Sequence, residues 1–345
     1  MNGRERIAAL LAGKPVDRPP FVPAVYEHKA ALVGSTPSAV ARNTMLLEQA
    51  LARELEIYEP DALTVGLDVY NVEAEAVGAK VRFFDGSEVP VIEGKLVRPG
   101  QDVGFLPLPD PERSGRMPVF LEAGRRLQAY AGDEVLIRGA LSAPYSMAAE
   151  LVGDEALIIA MMDQPDWVAS LLDFCAVAIQ VYGRAFVRRG LGVILFDSHA
   201  APPLISPSLY RRIILPSTAR VVSYFRGELG VPLVPYIIGG DTTPLLAGIL
   251  ETGTNNILCD FKADLGHFQD LVADPAVLVR ANLDPRFLLS ASPKEIEART
   301  AEILQIGLRR PGFMLGTGIL PIDVLPEKVL AVRRALVKAA IPPPA

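Results

Sequence analysis

Polar groups able to do chemistry recur at one kind of place in this 345-residue chain, directly after short apolar runs. Tyr26, Glu27 and His28 come first, then Asp68 and Tyr70, then Tyr145 and Glu150. Asp197-Ser198-His199 follows, then Tyr236 and Asp241, Asp260 and Lys262, Asn282 and Asp284, and finally Thr317. Carboxylates and imidazoles transfer protons, while hydroxyls, phenols and amides orient a polar ligand. The 197–199 triplet places carboxylate, hydroxyl and imidazole in one loop, but adjacent side chains diverge, so only part of it can face a shared substrate. His28, His199 and Glu150 are metal-ligating types without the spacing of a metal site, and no metal is expected. Gly239-Gly240 would suit a phosphate at a helix start, but Asp241 would repel it. Cys175 and Cys259 stand alone in apolar surroundings and read as core, as do Trp167 and Phe174; His267 reads as a surface or cap residue.

The elements that position these groups follow from periodicity. Short, largely apolar runs at 20–25, 62–67, 135–141, 192–198, 232–238, 256–261, 278–284 and 312–318 are expected strands; most are continuous and do not alternate, which fits parallel strands covered on both sides. Helical stretches at 44–58, 154–189, 206–228, 243–252, 265–272, 293–309 and 326–340 lie between them. Ser292-Pro293-Lys294-Glu295 is a strong helix start, with a capping serine, proline in the first turn and an early acid. Eight βα units predict an α/β fold, a single (β/α)8 TIM barrel, in which reacting groups sit on loops at the C-terminal ends of the strands. An N-terminal helix within residues 1–13 precedes the barrel. The connection after the second strand is too long for one helix; runs at 80–84, 89–92 and 95–97 around Asp85-Gly86-Ser87 predict a small antiparallel insertion. The barrel assignment covers 1–340, and the proline-rich tail 341–345 is expected to fray.

Composition excludes several classes. Half the residues are hydrophobic and the net charge is -6, so the chain has material for a large core and is not disordered. Basic residues are scattered, which argues against nucleic acid as a partner. Two isolated cysteines fit a reducing compartment, and the cytoplasm is expected. No apolar run is read as reaching the roughly 18 uninterrupted residues of a membrane span, and no secretory leader is read at the start.

Several segments together resemble the uroporphyrinogen decarboxylase superfamily, which includes corrinoid-dependent methyltransferases. They are Gly3-Arg-Glu-Arg-Ile7 with Pro15-Val-Asp-Arg-Pro-Pro20, Glu59-Pro-Asp-Ala-Leu-Thr-Val-Gly-Leu-Asp68, and Phe196-Asp-Ser-His-Ala200 with Ile205-Ser-Pro-Ser-Leu-Tyr210 and Leu215-Pro216. Asp241-Thr-Thr-Pro244, Asn282-Leu-Asp-Pro285 and Gly316-Thr-Gly-Ile-Leu-Pro321 complete the series. The resemblance implies that Asp68 takes the place of an aspartate that accepts hydrogen bonds from pyrrole N–H groups, stabilising positive charge on the ring as carbon dioxide leaves. It also places Ser198 in the site and implies a homodimer with facing mouths.

The departures from that pattern are equally specific. Val25 and Lys29 stand where the decarboxylases carry two carboxylate-binding arginines, and lysine does not reproduce a guanidinium fork. Glu150 replaces a tyrosine and Thr317 a histidine. The zinc ligands of the methyltransferases, a His-x-Cys pair after the fifth strand, correspond to Ile237 and Gly239, and no cysteine occurs in 315–319. The resulting expectation is a divergent, decarboxylase-like enzyme acting on a tetrapyrrole or a small carboxylated substrate, with no bound cofactor. Asp68, Ser198, His199 and Glu150 are the catalytic candidates. His28, Tyr70, Tyr145, Asp197, Tyr236, Asp241, Asp260, Lys262, Asn282 and Thr317 are the substrate-contact candidates. The alternatives are zinc-independent methyl transfer with cobalamin on a separate corrinoid protein, and a ligand-binding barrel without chemistry.

Overall fold

The computed structural model describes residues 1–339, so position 340 and the tail 341–345 lie outside the described residues. Ten strands occur in it: β1 (Phe21–Ala24), β2 (Ala62–Val65), β3 (Lys80–Arg82), β4 (Val91–Glu93), β5 (Leu136–Ser142), β6 (Gly192–Phe196), β7 (Pro235–Ile237), β8 (Asn256–Cys259), β9 (Leu278–Leu283) and β10 (Phe313–Ile319). Eight of them form one parallel sheet in the order β1-β10-β9-β8-β7-β6-β5-β2, wrapped with its surrounding helices into a (β/α)8 barrel. Each expected run coincides with one of these eight strands, β5 and β10 extending one residue beyond it. The insertion is also present, as β3 paired antiparallel with β4 through Val81 opposite Ile92. The expected third run, 95–97, forms no strand; Leu96 and Val97 both donate their backbone N–H to Leu151 O instead, at 2.9 and 3.0 Å.

The ring closes at β1 and β2 through side chains. Asp61, just before β2, accepts the Phe21 N–H at 2.5 Å and the Arg18 guanidinium at 2.6 Å, and also pairs with Arg6. Its own N–H donates to Phe21 O at 2.8 Å. At the other end of the same seam the Lys29 ammonium donates to Thr64 O and Gly66 O, at 3.1 and 2.8 Å, and pairs with Glu54 at 3.3 Å. Lys29 is completely buried, so the expectation that it faces the mouth is corrected: a long side chain from the short helix His28–Ala31 after β1 is drawn along the wall by unpaired strand carbonyls.

The base of the barrel is plugged by the N-terminal helix Gly3–Leu11. Asn2 and Glu5 cap it reciprocally, at 2.8 and 2.9 Å. Its Ile7, Leu10 and Leu11 pack on Val22, Ala62, Leu278 and Met314 from inside the barrel. Gly3 permits this docking, since a Cβ there would lie 2.7 Å from the Asp61 Cα.

Two expected helices differ in detail. The stretch 154–189 is broken into Asp154–Asp163 and Pro165–Val187, because Pro165 lacks an N–H and pushes Gln164 out of helical geometry, to ψ 55°. Within 206–228 the chain makes wide π turns at Tyr210–Ile214 and Tyr224–Glu228, the first just ahead of Pro216. Helix Met117–Ala131 was not expected, although Met117, Phe120, Leu121 and Leu127 form its buried stripe; it is the crossover onto β5. Helix Pro165–Val187 does have the length and hydropathy of a membrane-crossing segment, contrary to the reading of the sequence. Its Leu171, Cys175, Ile179, Tyr182 and Phe186 are buried on the barrel wall, where Gly139 of β5 makes room for the Phe186 ring.

Candidate active site

Alternation along the strands sorts side chains into layers inside the barrel. Above the apolar base lie Thr64, Arg138 and Arg280, each two residues beyond a base-layer position, Ala62, Leu136 or Leu278. Above these, Ala24, Tyr26, Ile194, Phe196, Ile237 and Leu258 form an apolar collar, with Tyr26 edge-on to Phe196 at 5.6 Å. The collar surrounds a cavity of about 260 Å³ whose polar wall is Ser198, Asp260, Arg280 and Asn282. A second recess of about 400 Å³ adjoins it, sharing Tyr26, Val69, Tyr70 and Ile319. This recess is acidic, with Glu27, Asp68 and Glu150 in its wall, and the inserted hairpin closes one side through Val91 and Ile92.

Asp68 reaches the recess only as part of a buried cluster. Its side chain is fully buried and lies 2.8 Å from the Arg116 guanidinium, which pairs with Glu75 at 2.6 Å. One Asp68 oxygen, Oδ1, has no hydrogen-bond partner. Burial raises the Asp68 pKa despite the opposing pull of Arg116. Arg116 immediately precedes the unexpected helix Met117–Ala131, which is why its role was missed.

The loop after β6 is held in place by several contacts. Ser198 N–H donates to the Tyr70 hydroxyl at 3.0 Å, and the Ser198 Oγ accepts from Gly239 N–H at 3.2 Å. Tyr70 occupies a left-handed conformation, φ 82°, uncommon for a bulky residue and typical of functional loops. His199 packs edge-on against Tyr70 at 5.1 Å, with Nδ1 2.7 Å from Asp154 and Nε2 3.2 Å from Glu150. With both ring nitrogens engaged, His199 clamps this loop to the helices after β5 and holds Glu150 at the recess. Burial works against a charged ring, but the hydrogen bonds to Glu150 and Asp154 outweigh it and raise the pKa from 6.5 to about 9. The clamp's contribution is therefore complete below pH 6.5 and is lost as pH rises through about 9. We expect the melting temperature to fall between neutral and alkaline pH by an amount reflecting roughly 1–3 kcal/mol. His199→Gln should flatten that slope, and an unchanged slope in thermal melts would remove His199 as its source.

Other sequence candidates fall away from the cavity. His28 is buried between Tyr58 Oη, 2.6 Å from Nε2, and Pro321 O, 3.0 Å from Nδ1. Tyr145 is buried in helix Pro144–Val152. Asp197 is buried behind the wall, accepting from Ser146 N–H and Oγ at 2.9 and 2.7 Å and from the Tyr236 hydroxyl at 2.6 Å. Tyr236 is itself buried in that network, while its neighbour Ile237 faces the cavity. Thr317 accepts the Ala24 N–H at 3.1 Å and so stitches β10 to β1. Asp241 is an exposed cap on Thr243 N–H at 3.0 Å, and Lys262 is exposed outside the mouth. For Tyr236 and Thr317 the cause is strand pleating, which decides the face each side chain takes; His28, Tyr145, Asp241 and Lys262 lie beyond the strand ends, where the following helix or turn carries the side chain away from the cavity. Of the substrate-contact candidates, Tyr70, Asp260 and Asn282 line the cavity. Arg280 and Tyr26 complete it; the signal for Arg280 was a lone cation on the inward period Leu278, Arg280, Asn282.

The positions matched to zinc ligands do not suit zinc. Ile237 is an aliphatic part of the cavity wall, Gly239 has no side chain, and no group of three or more His, Cys, Asp or Glu side chains is placed to hold a metal ion among the described residues.

The uroporphyrinogen decarboxylase (URO-D) family matches residues 2–339. The chain belongs to that family. Its relatives divide between two named activities. A methylcobamide:CoM methyltransferase MtbA of Methanosarcina mazei is 30% identical over 311 residues, covering 88% of this chain and 89% of that protein. A uroporphyrinogen decarboxylase of Pelobacter propionicus is 30% identical over 327 residues, covering 90% and 91%. A solved methyltransferase structure from Methanosarcina mazei superposes with a TM-score of 0.87 over 98% of this chain and 99% of that one, at 22% identity, and shows the shared fold. Family members are enzymes of both kinds, and equal identity to each leaves the choice to the residues of the site.

Proposed function

We propose that this family member is a decarboxylase-type lyase acting on a compact carboxylated substrate in the barrel mouth. The observation that carries this reading is the lining of the cavity: an apolar collar, with Arg280 as the one cation among the described residues that line it. An octacarboxylate with four pyrrole rings would need more positive charge than this mouth and its acidic recess provide.

Decarboxylation breaks the bond between the carboxyl carbon and its neighbour, leaves the electron pair on that neighbour, and requires a proton to replace the carbon dioxide. Tyr26 is suited to supply it. Burial pushes its pKa up to about 12, so the phenol stays protonated at neutral pH, and it stands in the cavity wall. Ser198 and Asn282 orient the substrate by hydrogen bonds from opposite sides, and the apolar collar keeps bulk water from the leaving carboxylate.

Methyl transfer is the second reading, favoured by the equal similarity to methylcobamide:CoM methyltransferases. It would need a corrinoid protein as partner, docked at the exposed apolar rim formed by Ile319 and Val91. One assay separates the two. Purified protein is incubated with a panel of small aromatic and aliphatic dicarboxylic acids, with uroporphyrinogen, and with methylcobalamin plus a thiol, while released carbon dioxide and the corrin absorbance are followed. Carbon dioxide from a small acid is the expected result; turnover of uroporphyrinogen, or demethylation of the corrin alone, overturns it.

A further inference from the structure

The floor of the mouth carries a charge arrangement that the proton chemistry above does not use. Arg138 on β5 and Arg280 on β9 project into the barrel from strands on opposite sides of the eight-strand ring. They are only 2% and 3% exposed. Among the described residues, neither forms an ion pair. Arg138 donates its Nε to Thr64 Oγ1 at 3.2 Å, and Arg280 Nε has no hydrogen-bond partner at all. Burial lowers the pKa of both, and the repulsion of Arg280 helps bring Arg138 down to about 10.

The carboxylates nearest this pair are engaged elsewhere. Asp260 accepts the Gly240 N–H at 2.8 Å, and Glu54 pairs with Lys29 at 3.3 Å, its own pKa pushed up to about 7 by burial. Two buried guanidinium groups are thus left without a carboxylate of their own. Removing a charge from water without a counter-ion is strongly unfavourable, so a buried guanidinium that lines a cavity is matched to an anion supplied from outside. A planar guanidinium fork fits a carboxylate through two parallel hydrogen bonds.

We propose that Arg280, backed by Arg138, forms a carboxylate-binding subsite at the floor of the mouth. The inference rests on the mouth being the substrate site and names the class of substrate it takes. A carboxylate held by guanidinium is stabilised as an anion and is a poor leaving group, so the group bound here is an anchor and the reacting carboxyl is a second one. The substrate is therefore at least a dicarboxylate. It enters acid first, with its body inside the collar of Phe196 and Leu258 and its reacting carbon within reach of the Tyr26 hydroxyl.

Isothermal titration calorimetry of wild type, Arg280→Gln and Arg280→Lys with benzoate, succinate and inorganic phosphate tests the subsite, with thermal melts on the same samples. A carboxylate should bind wild type, lose about tenfold or more in affinity in Arg280→Gln, and lose less in Arg280→Lys. The carboxylate should raise the melting temperature of wild type but not of Arg280→Gln, whose unliganded form should melt no lower than wild type because one of two repelling cations is gone. Equal carboxylate affinity in wild type and Arg280→Gln overturns the proposal. So does binding of phosphate alone, or an Arg280→Gln protein that melts lower yet keeps the full carboxylate-induced shift. Should Arg280→Gln fail to fold, Arg280→Lys carries the comparison, and undiminished affinity there overturns the fork. Binding is read without turnover: a wild type that binds dicarboxylates but releases no carbon dioxide refutes decarboxylation and leaves the subsite standing. Carbon dioxide release unchanged in Arg280→Gln refutes the subsite and leaves decarboxylation standing.

Discussion

Replacing Arg116 by methionine is expected to lower the unfolding free energy by about 3–5 kcal/mol, because it leaves buried Asp68 without its cation. Arg116 is 5% exposed, with Asp68 at 2.8 Å and Glu75 at 2.6 Å, and its guanidinium lies over the Phe83 ring at 5.1 Å. Asp68→Asn should cost less, about 1–2 kcal/mol, since Arg116 then keeps Glu75 and the amide is neutral. Urea unfolding of the two single variants and of the Arg116→Met/Asp68→Asn pair checks this. The double variant should be more stable than Arg116→Met alone, and additivity of the two losses would show that the residues do not act as a pair. The result also bears on function. Asp68 is the position that the family resemblance assigns to the substrate, yet its carboxylate holds the loop after β2 through Arg116. A fall in activity in Asp68→Asn therefore counts as direct substrate contact only if stability and the fold of that loop are unchanged.

Asp61→Ala is expected to be comparably damaging, again by about 3–5 kcal/mol, for a different reason. Asp61 is 2% exposed and receives Arg6, Arg18 and the Phe21 N–H, so its removal leaves Arg18 without a carboxylate and a buried amide without its acceptor, while Arg6 keeps only Asp17 as an ion-pair partner. It also removes the side-chain bridge across the one strand gap that lacks a backbone ladder. Hydrogen exchange should consequently accelerate most in β1, in β2 and in helix Gly3–Leu11, which docks on Asp61, with β8 and β9 least affected. Uniform acceleration throughout the barrel, or no loss of stability, would mean that the seam is held by packing alone.

Much of the architecture was legible in the sequence because a parallel barrel writes itself as repeated apolar runs. Strands buried on both faces are mostly apolar, and Gly, Pro and Asp mark their ends, so each of the eight runs coincides with a strand. The hairpin was legible from Asp85-Gly86-Ser87. Helix Met117–Ala131 was readable from its stripe but was hidden in a long connection, and Pro165 announced a break that the longer helical pattern obscured.

The site was only half legible. Sequence determined which residue types stand at the strand ends, and so brought Asp68, Ser198, Glu150, Tyr70, Asp260 and Asn282 to the mouth. Tertiary structure decided the facing and the pairing. Tyr236 and Asp197 turn outward into a shared hydrogen-bonded network, Lys29 folds along the seam, and His28 is held by Tyr58 and Pro321. It likewise decided that Arg138 and Arg280, 142 positions apart in the chain, lie in the throat of one barrel. The physical reason is that strand pleat and ring closure set which side chains meet, and both depend on contacts far apart in sequence, whereas burial of apolar runs is a local property of the chain.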